Sequence, residues 1–194
     1  PRRRDGQGNE LPHLAALSSF GAGGSNAHLV IEDYPSPAPR EAAPSRAVYP
    51  FSAREAGQLR QVLERFRARL DTLSEADLPA AAATLQDGRE ALEERLAVVA
   101  GDKAELGRLL DAALQGGEGA GIWRGRAARG RFDDTLPASL EAAAAAWVTG
   151  TRINWQKLRG GARPIRIGLP TYPFARERYW LPERAAVDHR APTP

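Results

Sequence analysis

The chain has 194 residues, long enough to bury a real core, with 27 Lys and Arg against 24 Asp and Glu and a formal net charge of +3. It holds no Cys and no Met, so disulfides, thiolate metal sites and a cysteine nucleophile are excluded from this chain, and the missing initiator reads as a piece of something longer. The basic residues are spread along the chain, and Arg2, Arg3 and Arg4 form the one tight cluster, at an end where charge is ordinarily solvated, so no nucleic-acid partner is expected. No apolar run approaches the ~20 residues that span a bilayer and no signal peptide is visible, so no membrane partner and a cytoplasmic location are expected.

In chain order, Pro1 to Pro12 are polar and read as an exposed loop or end. Leu14, Leu17 and Phe20 then read as a buried strand and Leu29, Val30 and Ile31 as another, joined by the glycine-rich stretch from Ser18 to His28. The glycines allow bare main chain to meet a substrate, or simply shape a hairpin. A phosphate cradle is disfavoured because such a loop opens a helix, whereas here a strand follows. Pro35, Pro37, Pro39, Pro44 and Pro50 describe a semi-rigid linker.

The next unit opens with Val48, Tyr49 and Phe51 as a strand, and Ser52-Ala53-Arg54-Glu55 has the spacing of a capping box. Leu59, Val62, Leu63, Phe66, Leu70 and Leu73 recur at steps of three and four, predicting a helix of about six turns. Asp77 with Pro79 starts a shorter helix that ends near Gly88, followed by a strand over Leu96–Ala100. Asp102 and Glu105 cap a third helix that Gly116 and Gly117 stop, and Ile122-Trp123-Arg124 is a third strand. This order of strands and helices predicts a small parallel sheet covered by helices. A last helix runs from about Ser139 to Thr149, and beyond it large apolar residues are strung through a proline-punctuated tail that must lie on another surface.

SSFGAGGSNAH followed by LVIEDYP resembles the C-terminal end of a ketosynthase, the thiolase-fold condensing enzyme of modular polyketide synthases. TLQDGREALEERLAVVA is similar to the linker after such ketosynthases, and WVTGTRINWQKL leading to LPTYPFARERYW is similar to the segment that wraps back onto the ketosynthase. The resemblance implies an α/β architecture: the closing β-hairpin of a thiolase-like fold, the helix-covered three-stranded sheet and an extended tail. It divides the chain into the hairpin (1–34), a Pro-rich linker (35–47), a flanking subdomain (48–150), a wrap-back tail (151–182) and a flexible end (183–194). An acyltransferase domain carried in the chain would sit between the third strand and the Trp147 helix, where only about 15 residues lie and no GHSxG-type elbow exists. The arrangement resembles trans-acyltransferase synthases.

The family's chemistry is decarboxylative condensation by a cysteine and two histidines, upstream of anything here; the parent is then a transferase, a β-ketoacyl synthase, and this chain carries no catalytic residue of its own. His28 matches the family's NAH and suits a structural hydrogen bond, while His13 and His189 have no spaced partner for a metal or for acid–base work. The resemblance assigns Phe20, Gly21, Ala22, Gly23, Gly24 and Asn26 to the wall of the acyl pocket, and Tyr172, Pro173, Phe174, Tyr179 and Trp180 to packing on the ketosynthase. At Ala22 many relatives carry a gating Phe, so a roomier pocket is expected. Implied partners are the rest of a homodimeric ketosynthase module, an acyl carrier protein bearing phosphopantetheine, and a free-standing acyltransferase; no cofactor is expected in the chain itself. Two alternatives stand beside a non-catalytic spacer and docking element: the downstream piece of a split ketosynthase, and an unrelated protein-binding adaptor.

Overall fold

The computed structural model describes residues 3–34, 46–127, 137–162, 164–175 and 180. The hairpin forms as read: β1 (Leu14–Phe20) and β2 (Asn26–Glu32) pair antiparallel, Leu14 opposite Glu32 and Phe20 opposite Asn26. One further rung extends the ladder, since the His13 and Asp33 main chains are joined at 3.0 Å and the His13 N–H donates to the Asp33 carboxylate at 2.7 Å. The expected burial is absent within this chain. Both strands are exposed along their whole length.

The second unit is a three-stranded sheet between two layers of helix. Its strands are β3 (Ala47–Ala53), β4 (Glu94–Ala100) and β5 (Ile122–Arg126), in that spatial order. Strand parity assigns the two cores. Tyr49, Phe51, Leu96, Val98 and Ile122 face α1 (Ala56–Leu70), α2 (Leu78–Asp87) and α3 (Lys103–Leu114). Val48, Ala97 and Val99 face α4 (Leu140–Val148) and the single turn α5 (Trp155–Leu158). Pro50 is tolerated inside β3 because β3 is an edge strand. Pro50 shares the parity of Val48, whose carbonyl points away from β4 and accepts from Gln86 Nε2 at 2.7 Å, so no ladder bond is missed.

The sheet is antiparallel throughout, not parallel as the order of elements predicts. That order counts helices but not passes across the sheet. Between β3 and β4 the chain makes two passes, α1 and α2, and so returns antiparallel. Between β4 and β5 there is one helix, but residues 115–121 make the second pass. Gly117 N donates to Ala112 O at 2.8 Å as the chain doubles back, and Gly121, at φ +92°, lies against Leu109. β5 then climbs beside α3, with Arg124 Nη2 donating to Ala113 O at 3.0 Å.

Two helix starts also differ from expectation. Ser52 lies in β3 and its hydroxyl bridges the 90–92 loop, donating to Glu90 O and accepting from Leu92 N, both at 3.0 Å. α1 therefore starts after Glu55 with no side-chain cap and spans 15 residues, nearer four turns than six. Leu73 is buried beyond its end, where Lys103 Nζ donates to the Asp71 and Leu73 carbonyls. Asp77 turns back to accept from the Ser74 amide and hydroxyl at 2.8 and 2.7 Å, which holds its carboxyl below the usual range and caps the short 3-10 turn Glu75–Asp77 instead of α2. Asp102 caps α3 as read, accepting from Glu105 N, and Ser139, where the last helix is expected to begin, caps α4 by accepting from Ala142 N.

α4 meets β5 at Gly125, where a Cβ would lie 2.7 Å from the Val148 carbonyl oxygen. Gly125→Ala should cost about 1–3 kcal/mol, because backbone must move on both sides. Gly57→Ala, in α1 with open space around it, should stabilise by up to ~1 kcal/mol. Urea unfolding followed by tryptophan fluorescence checks the pair; a neutral Gly125→Ala would refute the tight crossing.

Candidate functional site

The glycine stretch is the loop of the hairpin. Gly21 N donates to Ser25 O at 2.9 Å and Gly24 N to Gly21 O at 3.0 Å, closing residues 21–25 into a tight turn. Two glycines are demanded by that closure. Gly24 has φ +89°, and a Cβ on Gly21 would lie 2.7 Å from Ser25 O. Gly23 has nothing within 4 Å, so it leaves bare main chain facing outward. Phe20, Ala22 and Asn26 flank it, all exposed, with Phe20 at 80%. β2 follows the glycines directly, so no helix N-terminus faces a phosphate here.

The hairpin's two faces are unequal. Ala15, Leu17, Ala27, Leu29 and Ile31 share one face with Ser19 alone as a polar member. The other face mixes Leu14, Ala16, Phe20 and Val30 with Asn26, Glu32 and the cross-strand pair Ser18 Oγ–His28 Nδ1 at 2.8 Å. His28 thus makes a hydrogen bond across the hairpin.

The tail segment 164–175 runs extended over α1 and α2. Ile167 N donates to Thr84 Oγ1 at 3.0 Å, Arg69 Nε to Gly168 O, and Arg89 Nη2 to the Leu169 and Pro170 carbonyls, each at 3.3 Å. Leu169 and Pro173 are buried. The Tyr172 hydroxyl donates to Gln58 Oε1 at 2.7 Å and accepts from Arg54 N at 3.0 Å. Phe174 stands edge-on to Tyr172 with ring centroids 5.0 Å apart and is 79% exposed; Trp180 is 75% exposed, and Tyr179 lies outside the described residues. Between strap and helices lies a cleft of about 480 Å³, lined by Phe51, Val62, Phe66, Leu85, Leu92 and Tyr172 among others. Sequence reasoning missed Arg54, Gln58, Thr84 and Arg89 as the strap's anchors. Their partners lie 80 to 118 residues away, and no local pattern marks them.

The described residues thus form a hairpin with an exposed apolar face and a helix-covered sheet that carries an extended strap. Residues 50–117 match the family described as "RhiE-like, KS-MAT linker domain". Polyketide synthase PksN of Bacillus subtilis (strain 168) is 40% identical over 204 residues, covering 92% of this chain and 4% of the relative. Polyketide synthase ThaG of Burkholderia thailandensis is 38% identical, covering 97% of this chain and again 4% of the relative. Among solved structures, the oxazolomycin ketosynthase domain OzmH KS7 of Streptomyces albus JA3453 superposes with a TM-score of 0.69 at 36% identity, covering 93% of this chain and 30% of that one. Ketosynthase twelve of the bacillaene synthase of Bacillus amyloliquefaciens gives 0.65 at 39% identity, covering 89% and 31%. The chain belongs to the polyketide synthases, as a segment of the ketosynthase region that contains the KS-MAT linker. That sets aside the unrelated adaptor.

Tyr172→Phe removes one acceptor and one donor from the strap and should loosen it by about 1–2 kcal/mol. Amide exchange at residues 164–175 should speed up by roughly tenfold while β4 stays protected. Equal acceleration in both places would show that the strap is not a separately anchored element.

Proposed function

We propose that this chain is the non-catalytic downstream part of a polyketide synthase module: its hairpin completes the ketosynthase sheet and the wall of its acyl pocket, and its α/β unit is a spacer and docking surface. The exposed apolar face of the hairpin carries this reading. Leu17, Leu29 and Ile31 are each more than half exposed, and burying them is worth roughly 1.5–3 kcal/mol apiece as an upper estimate. An isolated two-stranded ribbon is marginal in water, so such a face is built to be covered. The ketosynthase structures that this chain matches over about a third of their length supply the host. In this reading Phe174, Tyr179 and Trp180 cover the ketosynthase surface, while Tyr172 and Pro173 hold the strap to the linker. The free-standing acyltransferase and the acyl carrier protein, with its phosphopantetheine, are the partners the resemblance adds. The same hairpin favours a second reading, in which this chain and a separate upstream piece reconstitute a condensing enzyme.

Mixing with an upstream ketosynthase polypeptide should protect residues 14–32 from amide exchange, and Leu29→Asp should abolish the complex while leaving the α/β unit's unfolding midpoint unchanged. Absence of protection in a stable complex would refute hairpin insertion. Condensation by the mixed pair would establish the second reading. With the full ketosynthase restored, Ala22→Phe should lower kcat/KM for branched or long acyl thioesters by about tenfold or more relative to acetyl, a difference of about 1.4 kcal/mol in discrimination. An unchanged preference would remove Ala22 from the pocket wall.

A further inference from the structure

Arg95 is the one cation among the described residues that combines near-complete burial with the lack of a carboxylate. It is 7% exposed, on the α4 side of β4. Its Nε donates to Leu92 O at 2.8 Å and its Nη1 to the Trp147 carbonyl at 2.6 Å, and its guanidinium lies 4.9 Å from the Trp147 ring centre. A guanidinium has five N–H donors, so these two bonds leave several unused. Burial pushes its pKa down, against a smaller opposing pull from the Glu93 carboxylate. The C-terminus of α4 supplies only about half a negative charge through its carbonyls. Buried charges are ordinarily paired.

Arg95 also borders a polar cleft of about 720 Å³ between the 86–91 loop and the 147–155 segment. Arg89 and Arg152 line the same cleft, and Trp147, Trp155 and Ile153 give it apolar walls. Of its two acidic residues, Asp87 is held by Arg159 at 2.6 Å, which leaves Glu90 to repel a second negative charge. The cleft therefore combines room for a ligand with a buried cation to which no carboxylate among the described residues is bonded.

We propose that this cleft is an oxyanion-binding site in which Arg95, supported by Arg89, takes a single carboxylate or phosphate group carried on a small apolar body. The proposal is independent of the ketosynthase assignment. It uses neither the hairpin nor the strap's aromatic residues.

The test is a titration of the intact chain with sodium phosphate and, separately, sodium acetate, at ionic strength held constant with sodium chloride, reading the arginine Nε–H and tryptophan indole resonances by NMR. Saturable shifts at Arg95 and Trp147, with Arg60 unmoved, are expected. Saturation by phosphate alone would assign a phosphate ligand, and saturation by both a carboxylate-tolerant site. Arg95→Gln should weaken binding by tenfold or more, as expected for loss of charge-assisted hydrogen bonds, and Arg89→Ala, which also frees the Leu169 and Pro170 carbonyls of the strap, by about threefold. Since Arg95→Gln can disturb α4, the wild-type titration stands by itself. Shifts that are linear or match those of chloride, or that survive unchanged in a folded Arg95→Gln, would overturn the proposal.

Discussion

The α/β unit depends on one strand that water reaches on neither side. Leu96 to Ala100 of β4 are all fully buried, Leu96, Val98 and Ala100 into one core and Ala97 and Val99 into the other. A strand apolar on both faces needs a layer on each, and that requirement explains both helical layers. It also explains why Arg95, one residue before this run and directed towards α4, ends up buried with its guanidinium bonded to two carbonyls.

The elements themselves were legible because each rests on local chemistry. The period of Leu59, Leu63, Phe66 and Leu70 marks α1, and Asp102 and Ser139 mark their helix starts. Strand direction was not legible. The order of strands and helices predicts parallel strands; here the sheet is antiparallel because α1 and α2 make two passes between β3 and β4 and residues 115–121 add an uncounted pass before β5. Ser52 shows the complementary failure, since a hydroxyl with capping spacing is taken up by a loop 38 residues away. The assignment of Phe20 to Gly24 and Asn26 to a pocket wall rests on family resemblance, and the structure adds which glycines the turn itself requires. Nothing in the sequence marks the strap's anchors or the environment of Arg95, since both arise from contacts across the fold.

The two units stand in different physical positions. The α/β unit closes its own core with aromatic and aliphatic groups and satisfies its edge strand through Gln86. The hairpin has a complete ladder and a closed turn but no core, so its geometry is settled while most of its burial energy remains to be gained.

Gly125 and Val148, drawn together by the close crossing of β5 and α4, have a topological consequence. They pin the C-terminal half of β5 to the C-terminal end of α4, as does Arg95 through the Trp147 carbonyl, while Arg46 holds Glu141 near the start of α4, so both flanks of the connection between Ala127 and Pro137 are fixed. Lengthening a loop whose ends are fixed costs only about 0.6 kcal/mol for each doubling. With both flanks held by the sheet and α4, chain length in that connection can change with little strain on either.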